Sequence, residues 1–500
     1  MSVLVVGGGI SGLVAARDLG RAGIPTVLVE ASDRLGGKVA TERVDDFVIE
    51  LGPDSMLTTR PAAVALVREL GIGDELIGVS EPRSVHILRD GRPIPIPEGV
   101  GLVLPTKARP FVTTQLFSWP EKARLGLDLV MPRVLPEEDV SVGAFLRCRL
   151  GSALVSRLAG PLVGGIYGTS IDELSLDAIV PTLREAEHTH RSLILAGLAD
   201  GRRMRARAKQ APSASPSGPR PLGVFASLRG GLGGMVSALE RDLVEVGAVT
   251  VVRGVSVVSL DRTGAGYSAR TSDGRKLDVD AVIVATPGPA ASIVLGEVAP
   301  AAAEAISTIP HGSTSVVNFA YPAERFPKPI VGHGWLIPAS EGLPLSALTW
   351  SSNKWASRAP AGWVLIRAFL PDQPSGGRSA QDLVELARVA VERLTGVAGS
   401  PELVRVSAHE GTMPRYTVGH IARVGRAEAE LTAQPRIALA GAPYRGVGLP
   451  DCISGARAAA RKIIDALDAT GERGPTGIRT QDTGVKSPLE RRPASPERRI

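Results

Sequence analysis

Three glycines and one acid near the start of the chain have the spacing of a dinucleotide-binding turn. Gly7, Gly8, Gly9, Ile10, Ser11 and Gly12 fit the pattern G-x-G-x-x-G between a strand-like run and a helical run, and Glu30 follows Gly9 by 21 residues. Such glycines allow a tight turn, a close approach of the backbone to a pyrophosphate and the packing of helix on strand. An acid in the position of Glu30 accepts hydrogen bonds from ribose hydroxyls and disfavours a 2′-phosphate. The pattern therefore predicts a dinucleotide other than NADP.

Side-chain chemistry of other kinds has no recognisable pattern in this sequence. We find no Ser/His/Asp set, no paired acids and no zinc spacing, and Cys148 and Cys452 provide neither a disulfide framework nor a metal site. We interpret His311, His409 and His420 as structural. These observations favour a protein whose bound cofactor does the chemistry, with no metal.

The elements that must position the glycines begin with a βαβ unit. A strand at Val3–Val6, a helix at Ile10–Arg21 and a strand at Thr26–Val29 are predicted, and sheet-forming runs return after Gly247 and at Arg436–Ala440. The sequence thus predicts an α/β fold: a discontinuous Rossmann-like domain with an inserted α+β substrate domain and a helical subdomain. The boundaries are 1–80, 222–310 and 430–468 for the nucleotide domain, 81–202 for the mainly helical part, 203–221 for a flexible basic loop, 311–429 for the substrate domain and 469–500 for a disordered tail.

Charge and hydropathy limit the possible partners. The net charge is +6, but residues 201–220 carry six Lys or Arg and no acid, and residues 471–500 carry seven basic and four acidic groups. Because no aromatic residues are interleaved with these charges, we exclude nucleic acid and leave at most a weak peripheral contact with anionic membranes. No apolar run is long enough for a membrane span, and the strand at Val3 leaves no room for a signal peptide. A cytoplasmic protein is expected.

Three segments resemble the FAD-dependent amine oxidase superfamily. ASDRLGGKVAT follows Glu30, DAVIVATP begins at Asp280, and ALAGAPYRGVGLPDCISGARAAARKI lies near the C-terminus. The resemblance implies FAD, with Arg34 by the pyrophosphate and a final helix whose positive end faces the flavin. The FAD-binding residues it implies are Gly7, Gly8, Gly9, Ile10, Ser11, Gly12, Glu30, Ala31, Arg34, Gly36, Gly37, Lys38, Gly52, Pro53, Asp54, Ser55, Val257, Val447, Gly448 and Leu449.

Four further segments resemble one branch, the porphyrinogen oxidases of haem synthesis. They are ELGPDSML, GPLVGGIYGTSIDELSLDAIVPTL, GHGWLIPASEG and MPRYTVGHI. The resemblance implies that the flavin takes hydride from the macrocycle and that O₂ regenerates it with release of hydrogen peroxide. The expected substrate pocket comprises Gly164, Gly165, Tyr167, His333, Trp335 and Leu336, with Arg445 as a cation for a rim carboxylate.

The choice of substrate stays open between two porphyrinogens. We favour coproporphyrinogen III over protoporphyrinogen IX because no anchoring helix is predicted and because arginine outnumbers lysine 48 to 9, which would suit a substrate with more carboxylates. A ferrochelatase is a possible recipient of the product. The alternatives are another amine-oxidase-like flavoenzyme and a non-catalytic FAD-binding protein.

Overall fold

Short apolar runs form strands in this chain, and longer amphipathic runs form helices. The computed structural model describes residues 1–101, 103–210, 222–264, 266–371 and 378–469. The strands are β1 (Val3–Val6), β2 (Thr26–Val29), β3 (Thr41–Val44), β4 (Phe47–Glu50), β5 (Met56–Leu57), β6 (Leu76–Gly78), β7 (Val85–Arg89), β8 (Arg92–Pro95), β9 (Phe225–Leu228), β10 (Val249–Val252), β11 (Val257–Arg262), β12 (Tyr267–Thr271), β13 (Lys276–Val279), β14 (Ala281–Val284), β15 (His311–Pro322), β16 (Gly334–Leu336), β17 (Ala347–Trp350), β18 (Trp363–Pro371), β19 (Leu403–Pro414) and β20 (Ile437–Leu439).

The helices are distributed over all parts of the chain. They are α1 (Ile10–Arg21), α2 (Ala62–Glu69), α3 (Ala108–Thr113), α4 (Trp119–Gly126), α5 (Val142–Leu150), α6 (Ser152–Leu154), α7 (Gly165–Tyr167), α8 (Leu176–Ile179), α9 (Pro181–His190), α10 (Leu193–Gln210), α11 (Gly233–Val246), α12 (Gly288–Leu295), α13 (Pro300–Ser307), α14 (Ser351–Lys354), α15 (Ala380–Thr395), α16 (His420–Glu430), α17 (Ala442–Arg445) and α18 (Leu449–Asp468). A π-helix (Val155–Gly164) joins α6 to α7.

A five-stranded parallel sheet collects segments from both ends of the chain. Its strand order is β10-β2-β1-β14-β20, so neighbours in space are up to several hundred residues apart in sequence. Because helices cover both faces, β1, β2 and β14 are buried throughout and consist almost entirely of apolar residues. Helices α1, α11 and α18 cover one face, and α12, α13 and α16 cover the other. This confirms the discontinuous Rossmann-like domain.

A seven-stranded sheet forms the second lobe. Its order is β19-β15-β18-β17-β16-β7-β8, with the long strand β15 paired antiparallel to both β18 and β19. One face of the sheet buries apolar side chains against α15. Strands β7 and β8 come from residues 85–95, which we assigned to the mainly helical part. The prolines of that segment obscured the strand pattern, and β8 is an edge strand, where proline is tolerated.

The helical subdomain packs around a separate apolar core and differs from the predicted boundaries at two points. Helix α10 continues to Gln210, so residues 203–210 are helical and not loop. Residues 211–221 and 470–500, which include most of the predicted loop and tail, lie outside the described residues. Helix α16 packs against the nucleotide domain, so the predicted boundary at 429/430 falls at its end and not before it. Within the described ranges, no helix has both the length and the hydropathy required to cross a bilayer.

The replacement Gly12→Ala tests the contact between α1 and the glycine turn. An added Cβ would lie 1.8 Å from the carbonyl oxygen of Gly7, so α1 must move away from β1. We expect the free energy of unfolding, measured by urea denaturation, to fall by about 1–3 kcal/mol.

Gly425→Ala is the matched control, since Gly425 is an exposed glycine in α16 whose Cβ would meet no atom within 4 Å. There alanine should stabilise the helix by up to about 1 kcal/mol. A stabilising effect of Gly12→Ala would contradict the close contact.

Candidate functional site

The glycine turn between β1 and α1 has open space beside one of its glycines, Gly9, and a bound ligand would need such a space. Gly7 has φ +102°, which a residue with a side chain rarely adopts, whereas Gly9 has φ −66° and is unstrained. A Cβ at Gly9 would nevertheless meet no protein atom within 4 Å. Gly9 caps α1 without a side chain, and no acid occupies the first turn. The space at Gly9 and the positive end of α1 therefore fit the pyrophosphate of a dinucleotide.

Glu30 directly follows β2 and forms hydrogen bonds with the glycine turn. Its Oε2 accepts a hydrogen bond of 2.6 Å from the Gly8 N–H, and its Oε1 accepts from the N–H and the hydroxyl of Ser32 at 2.9 and 2.7 Å. The carboxylate is half-buried, while Ala31 and Arg34 are exposed. Hydrogen bonds from ribose hydroxyls to Glu30 remain a prediction. The hydrogen bonds within the protein fix the Glu30 carboxylate beside the glycine turn.

The second glycine pair packs directly on the first. Gly36 donates its N–H to the carbonyl oxygen of Gly8 at 2.8 Å, and a Cβ on Gly37 would lie 3.1 Å from the Cα of Gly9. The side chain of Lys38 extends away from this backbone contact, and its Nζ donates to the carbonyl oxygen of Thr412 at 2.7 Å. Burial of the ammonium group lowers the pKa of Lys38. The two motifs that the sequence predicted to bind one cofactor are thus brought together, and Lys38 joins them to the end of β19.

The segment Gly52–Ser55 lies next to Lys38. The two backbones are so close that a Cβ on Gly52 would lie 1.7 Å from the carbonyl oxygen of Lys38. Asp54 forms an ion pair with Lys354 at 2.8 Å and lies 3.6 Å from Arg367 of β18. Burial acts to raise the pKa of this carboxyl group, but the two cations hold it well below its ordinary value. Asp54 is therefore a buried anion that connects the predicted cofactor segment to the second lobe.

Sequence reasoning missed Lys354 and Arg367. Arg367 stands in the apolar run WVLIRAFL, in a strand whose side chains are otherwise mostly apolar, and is only 2% exposed. A charged residue inside a buried strand requires a partner, so this signal could have indicated an ionic contact.

The closing motif forms a short helix, a glycine turn and a long helix. We call residues 442–449 the flavin-side turn, because the predicted residues Val447, Gly448 and Leu449 end it. Gly448 caps α18 without a side chain, as Gly9 caps α1, and Ser11 donates its hydroxyl to the carbonyl oxygen of Cys452 at 3.3 Å. The two helix N-termini therefore lie side by side, and the dipole of each favours negative charge on a bound group. In α18 the Asp451 carboxylate of the first turn opposes this effect, and Arg60 pairs with that carboxylate. Val257 begins β11 outside the parallel sheet and is buried.

We call residues 160–183, the segment GPLVGGIYGTSIDELSLDAIVPTL, the pocket wall; it begins inside the π-helix. A Cβ on Gly164 would lie 2.8 Å from the carbonyl oxygen of Thr169, so this glycine allows the wall to pack on itself, whereas a Cβ on Gly165 would enter open space. The ring of Tyr167 lies 6.1 Å from the ring of Tyr416, centroid to centroid. The wall therefore reaches the corner between β19 and α16.

The predicted pocket residues of β16 do not share one face. Leu336 packs toward the helical subdomain, but Trp335 contacts Trp350 edge to face at 5.3 Å and packs on the core beneath α15. Side chains alternate along a strand, so adjacent residues cannot both face one pocket. Trp335 therefore faces away from Leu336, and its place in the substrate pocket stays a prediction. His333 directly precedes β16 and is buried. Its backbone N–H donates to the carbonyl oxygen of Ser84 in the segment before β7.

Arg445 has a protein partner of its own. Its Nε donates to Glu428 of α16 at 2.8 Å and its Nη2 donates to the same carboxylate, while 66% of its side chain is exposed. Both residues border a cavity of about 360 Å³ between α16, β20 and α18. Binding of a substrate carboxylate by Arg445 stays a prediction. The ion pair with Glu428 makes this prediction weaker, because the positive charge of Arg445 is already neutralised by a carboxylate of the protein.

Three histidines bind backbone groups. The Nε2 of His311 accepts from the Gly288 N–H at 3.3 Å, the Nε2 of His409 lies 3.1 Å from the Leu51 carbonyl oxygen, and the Nε2 of His420 lies 3.0 Å from that of Tyr444. Burial lowers the pKa of all three. Each ring is therefore neutral at pH 7 and holds a segment in place.

His420 makes stability depend on pH. Burial lowers its pKa to about 4, Arg423 and Arg445 act in the same direction, and the Tyr444 carbonyl and Asp139 oppose them. Since the folded pKa lies below the unfolded value, the unfolded state binds the proton first as the pH falls. Stability should therefore decrease between about pH 6.5 and 4, by roughly 3 kcal/mol from this residue.

The measurement is urea denaturation across that pH range for the wild type and for His420→Gln. Carboxylate protonation affects both proteins, so their difference isolates the histidine. We expect the wild type to lose more stability than the variant on acidification, and parallel curves would contradict a buried neutral His420.

The family of flavin-containing amine oxidoreductases matches residues 10–464 of this chain. The coproporphyrinogen III oxidase of Propionibacterium freudenreichii subsp. freudenreichii is 44% identical over 95% of this chain and 92% of its own length. The coproporphyrinogen III oxidase of Bacillus subtilis (strain 168) is 35% identical over 93% of this chain and 97% of its own.

Among solved structures, a candidate protoporphyrinogen oxidase from Exiguobacterium sp. 255-15 is similar with a TM-score of 0.79 and 31% identity, covering 92% of this chain and 98% of that one. The family match, over residues 10–464, includes the whole of helix α1, the pocket wall and the closing motif. The chain therefore belongs to the porphyrinogen oxidase branch of the flavin-containing amine oxidoreductase family.

Proposed function

We propose that this protein oxidises coproporphyrinogen III to coproporphyrin III with FAD, in the synthesis of haem b. The observation that carries the proposal is the 44% identity to a coproporphyrinogen III oxidase over 95% of the chain. The geometry supports it, because the second glycine pair packs on the glycine turn and the hydroxyl of Ser11 joins the start of α1 to the start of α18. A protoporphyrinogen IX oxidase is the second candidate, favoured by the likeness to the Exiguobacterium structure.

Bound FAD supplies the hydride acceptor, and the chain positions it. The uncapped end of α1 and the space at Gly9 would hold the pyrophosphate, and Glu30 would accept hydrogen bonds from the ribose hydroxyls. The N-terminus of α18 favours the negative charge that the ring acquires on reduction. Each hydride that leaves the macrocycle is accompanied by a proton, and O₂ takes up both as hydrogen peroxide. The reaction belongs in the cytoplasm, and a ferrochelatase would take up the product.

The substrate slot would be formed by the pocket wall and the second lobe. Open space at Gly165 suits a flat macrocycle that presses against the wall, and Tyr167 and Leu336 supply apolar surface. No histidine among the three named above is assigned as a base in this scheme, since each binds a backbone group.

Anaerobic reduction of the flavin tests this function. Coproporphyrinogen III, protoporphyrinogen IX and a primary amine are each added to the holoenzyme without oxygen, and the flavin absorbance is followed. We expect the second-order rate constant for bleaching by coproporphyrinogen III to exceed that for protoporphyrinogen IX by about one to two powers of ten, since a charge-assisted pair contributes about 1.5–3 kcal/mol.

Each other result identifies a different protein. Faster bleaching by protoporphyrinogen IX would establish the second candidate, and bleaching by the amine alone would indicate an amine oxidase. Bound flavin that no substrate reduces would indicate a non-catalytic FAD-binding protein.

Gly9→Val tests the cofactor site. A Cβ at Gly9 meets no protein atom within 4 Å and the backbone is unstrained, so the variant should fold. Its side chain should fill the space of the pyrophosphate, and the protein should purify without flavin. The measurement is flavin content per chain together with circular dichroism. Gly126→Val is the control, because its Cβ also has open space and it lies in α4, away from the site. Full flavin occupancy of Gly9→Val would contradict the assignment.

A further inference from the structure

One phenol joins both ends of α17 to the second lobe. The hydroxyl of Tyr416 donates to the carbonyl oxygen of Ala442 at 2.6 Å and accepts from the N–H of Gly446 at 2.7 Å. Tyr416 follows β19 and is 2% exposed. Because the hydroxyl is both donor and acceptor, it satisfies two peptide groups of the flavin-side segment at once.

The histidine four residues later supports the same segment. The rings of Tyr416 and His420 are stacked with centroids 3.7 Å apart, and the Nε2 of His420 binds the carbonyl oxygen of Tyr444. Two side chains of one corner thus hold three peptide groups between Ala442 and Gly446. The glycines that flank α17, Gly441 and Gly446, have φ +120° and +139°, so the segment leaves regular helical geometry at both ends and depends on contacts from outside.

The corner is itself held by the helical subdomain. Ser175 donates its N–H to the carbonyl oxygen of Tyr416 at 2.7 Å, Val418 donates to that of Glu173 at 3.0 Å, and Gly419 donates to the carboxylate of Asp139 at 2.8 Å. The ring of Tyr167 faces Tyr416 from the pocket wall. Tyr416 therefore contacts the wall with its ring and backbone, and the flavin-side turn with its hydroxyl.

We propose that Tyr416 is a positioning residue that fixes the flavin-side turn against the pocket wall and thereby sets the reduction potential of the flavin. Gly446 precedes the N-terminus of α18 by three residues, so a shift at Gly446 moves the positive end of that helix. A displaced helix end stabilises the reduced, negatively charged ring less than a fixed one. The proposal rests on the flavin part of the proposed function and does not depend on which substrate is oxidised.

The test is Tyr416→Phe in the holoenzyme. This variant keeps the ring and its stacking on His420 but leaves the Ala442 carbonyl and the Gly446 N–H without the phenol. We expect the ratio of affinities for reduced and oxidised flavin to fall about tenfold, which corresponds to a midpoint potential about 30 mV more negative for a two-electron couple. The readouts are the potential, by equilibration with reference dyes, and the visible spectrum of the bound flavin.

Tyr321→Phe is the matched control. Tyr321 is fully buried in β15, and within the part of the chain that the structure describes its hydroxyl has no hydrogen-bond partner. Its loss should leave the potential unchanged. A potential that is equal in Tyr416→Phe, Tyr321→Phe and wild type would overturn the proposal, even if Tyr416→Phe were less stable.

A second variant covers the case in which Tyr416→Phe does not accumulate as folded holoenzyme. His420→Phe keeps a ring to stack on Tyr416 and removes only the bond to Tyr444. We expect a shift of the potential in the same direction, by less than tenfold in the affinity ratio. No shift would overturn the proposal. If the potential of the variants shifts as expected but no porphyrinogen reduces the wild-type flavin, the positioning role is supported and the proposed substrate is refuted.

Discussion

The contact between α1 and α18 is the constraint on which the site depends. The two helices pack on each other, and both contribute small buried residues to one shared core, among them Ala15, Ala16, Ala456 and Ala460. Larger side chains would separate the helices, and the bond from Ser11 to the Cys452 carbonyl could not form. With the helices in contact, their two uncapped N-termini lie at one edge of the sheet. A single cofactor can then meet both, one at its phosphates and one at its ring.

A buried set of charges connects this domain to the second lobe. Glu50 pairs with Arg358 at 3.0 Å with both side chains at most 2% exposed, and Asp54 pairs with Lys354 and Arg367 nearby. The loss of hydration on burial of these ions offsets much of their mutual attraction, so the pairs fix the orientation of the two lobes more than they stabilise the fold. Removing one partner would leave an unpaired buried charge. The relative placement of the two lobes therefore follows from a few hydrogen-bonded pairs that tolerate little displacement.

The sequence predicted those parts whose pattern is local. Helix α1 and strand β2 begin and end where the glycine spacing and the apolar runs indicated, because turn chemistry and burial on both faces leave little freedom there. It could not predict which face Trp335 occupies, since β16 has three residues and its register depends on strands far along the chain. The pairing of Arg445 with Glu428 was equally hidden, because α16 and α17 approach only through tertiary packing. Tyr416 stood in a quoted motif, but nothing in its spacing indicated that its hydroxyl bridges two peptide groups.

The parallel sheet also imposes an order of events during synthesis. Strand β20 begins 408 residues after β2 ends, and α18 follows it. A ribosome that adds about 5–20 residues per second needs roughly 20–80 s to cover that distance. Throughout this interval α1 exposes the apolar surface that α18 later covers. Once β14 has been made, its edge stays open until β20 pairs with it. The nascent chain therefore presents an aggregation-prone half-domain for most of its translation, and flavin can be enclosed only after nearly the whole polypeptide has been made.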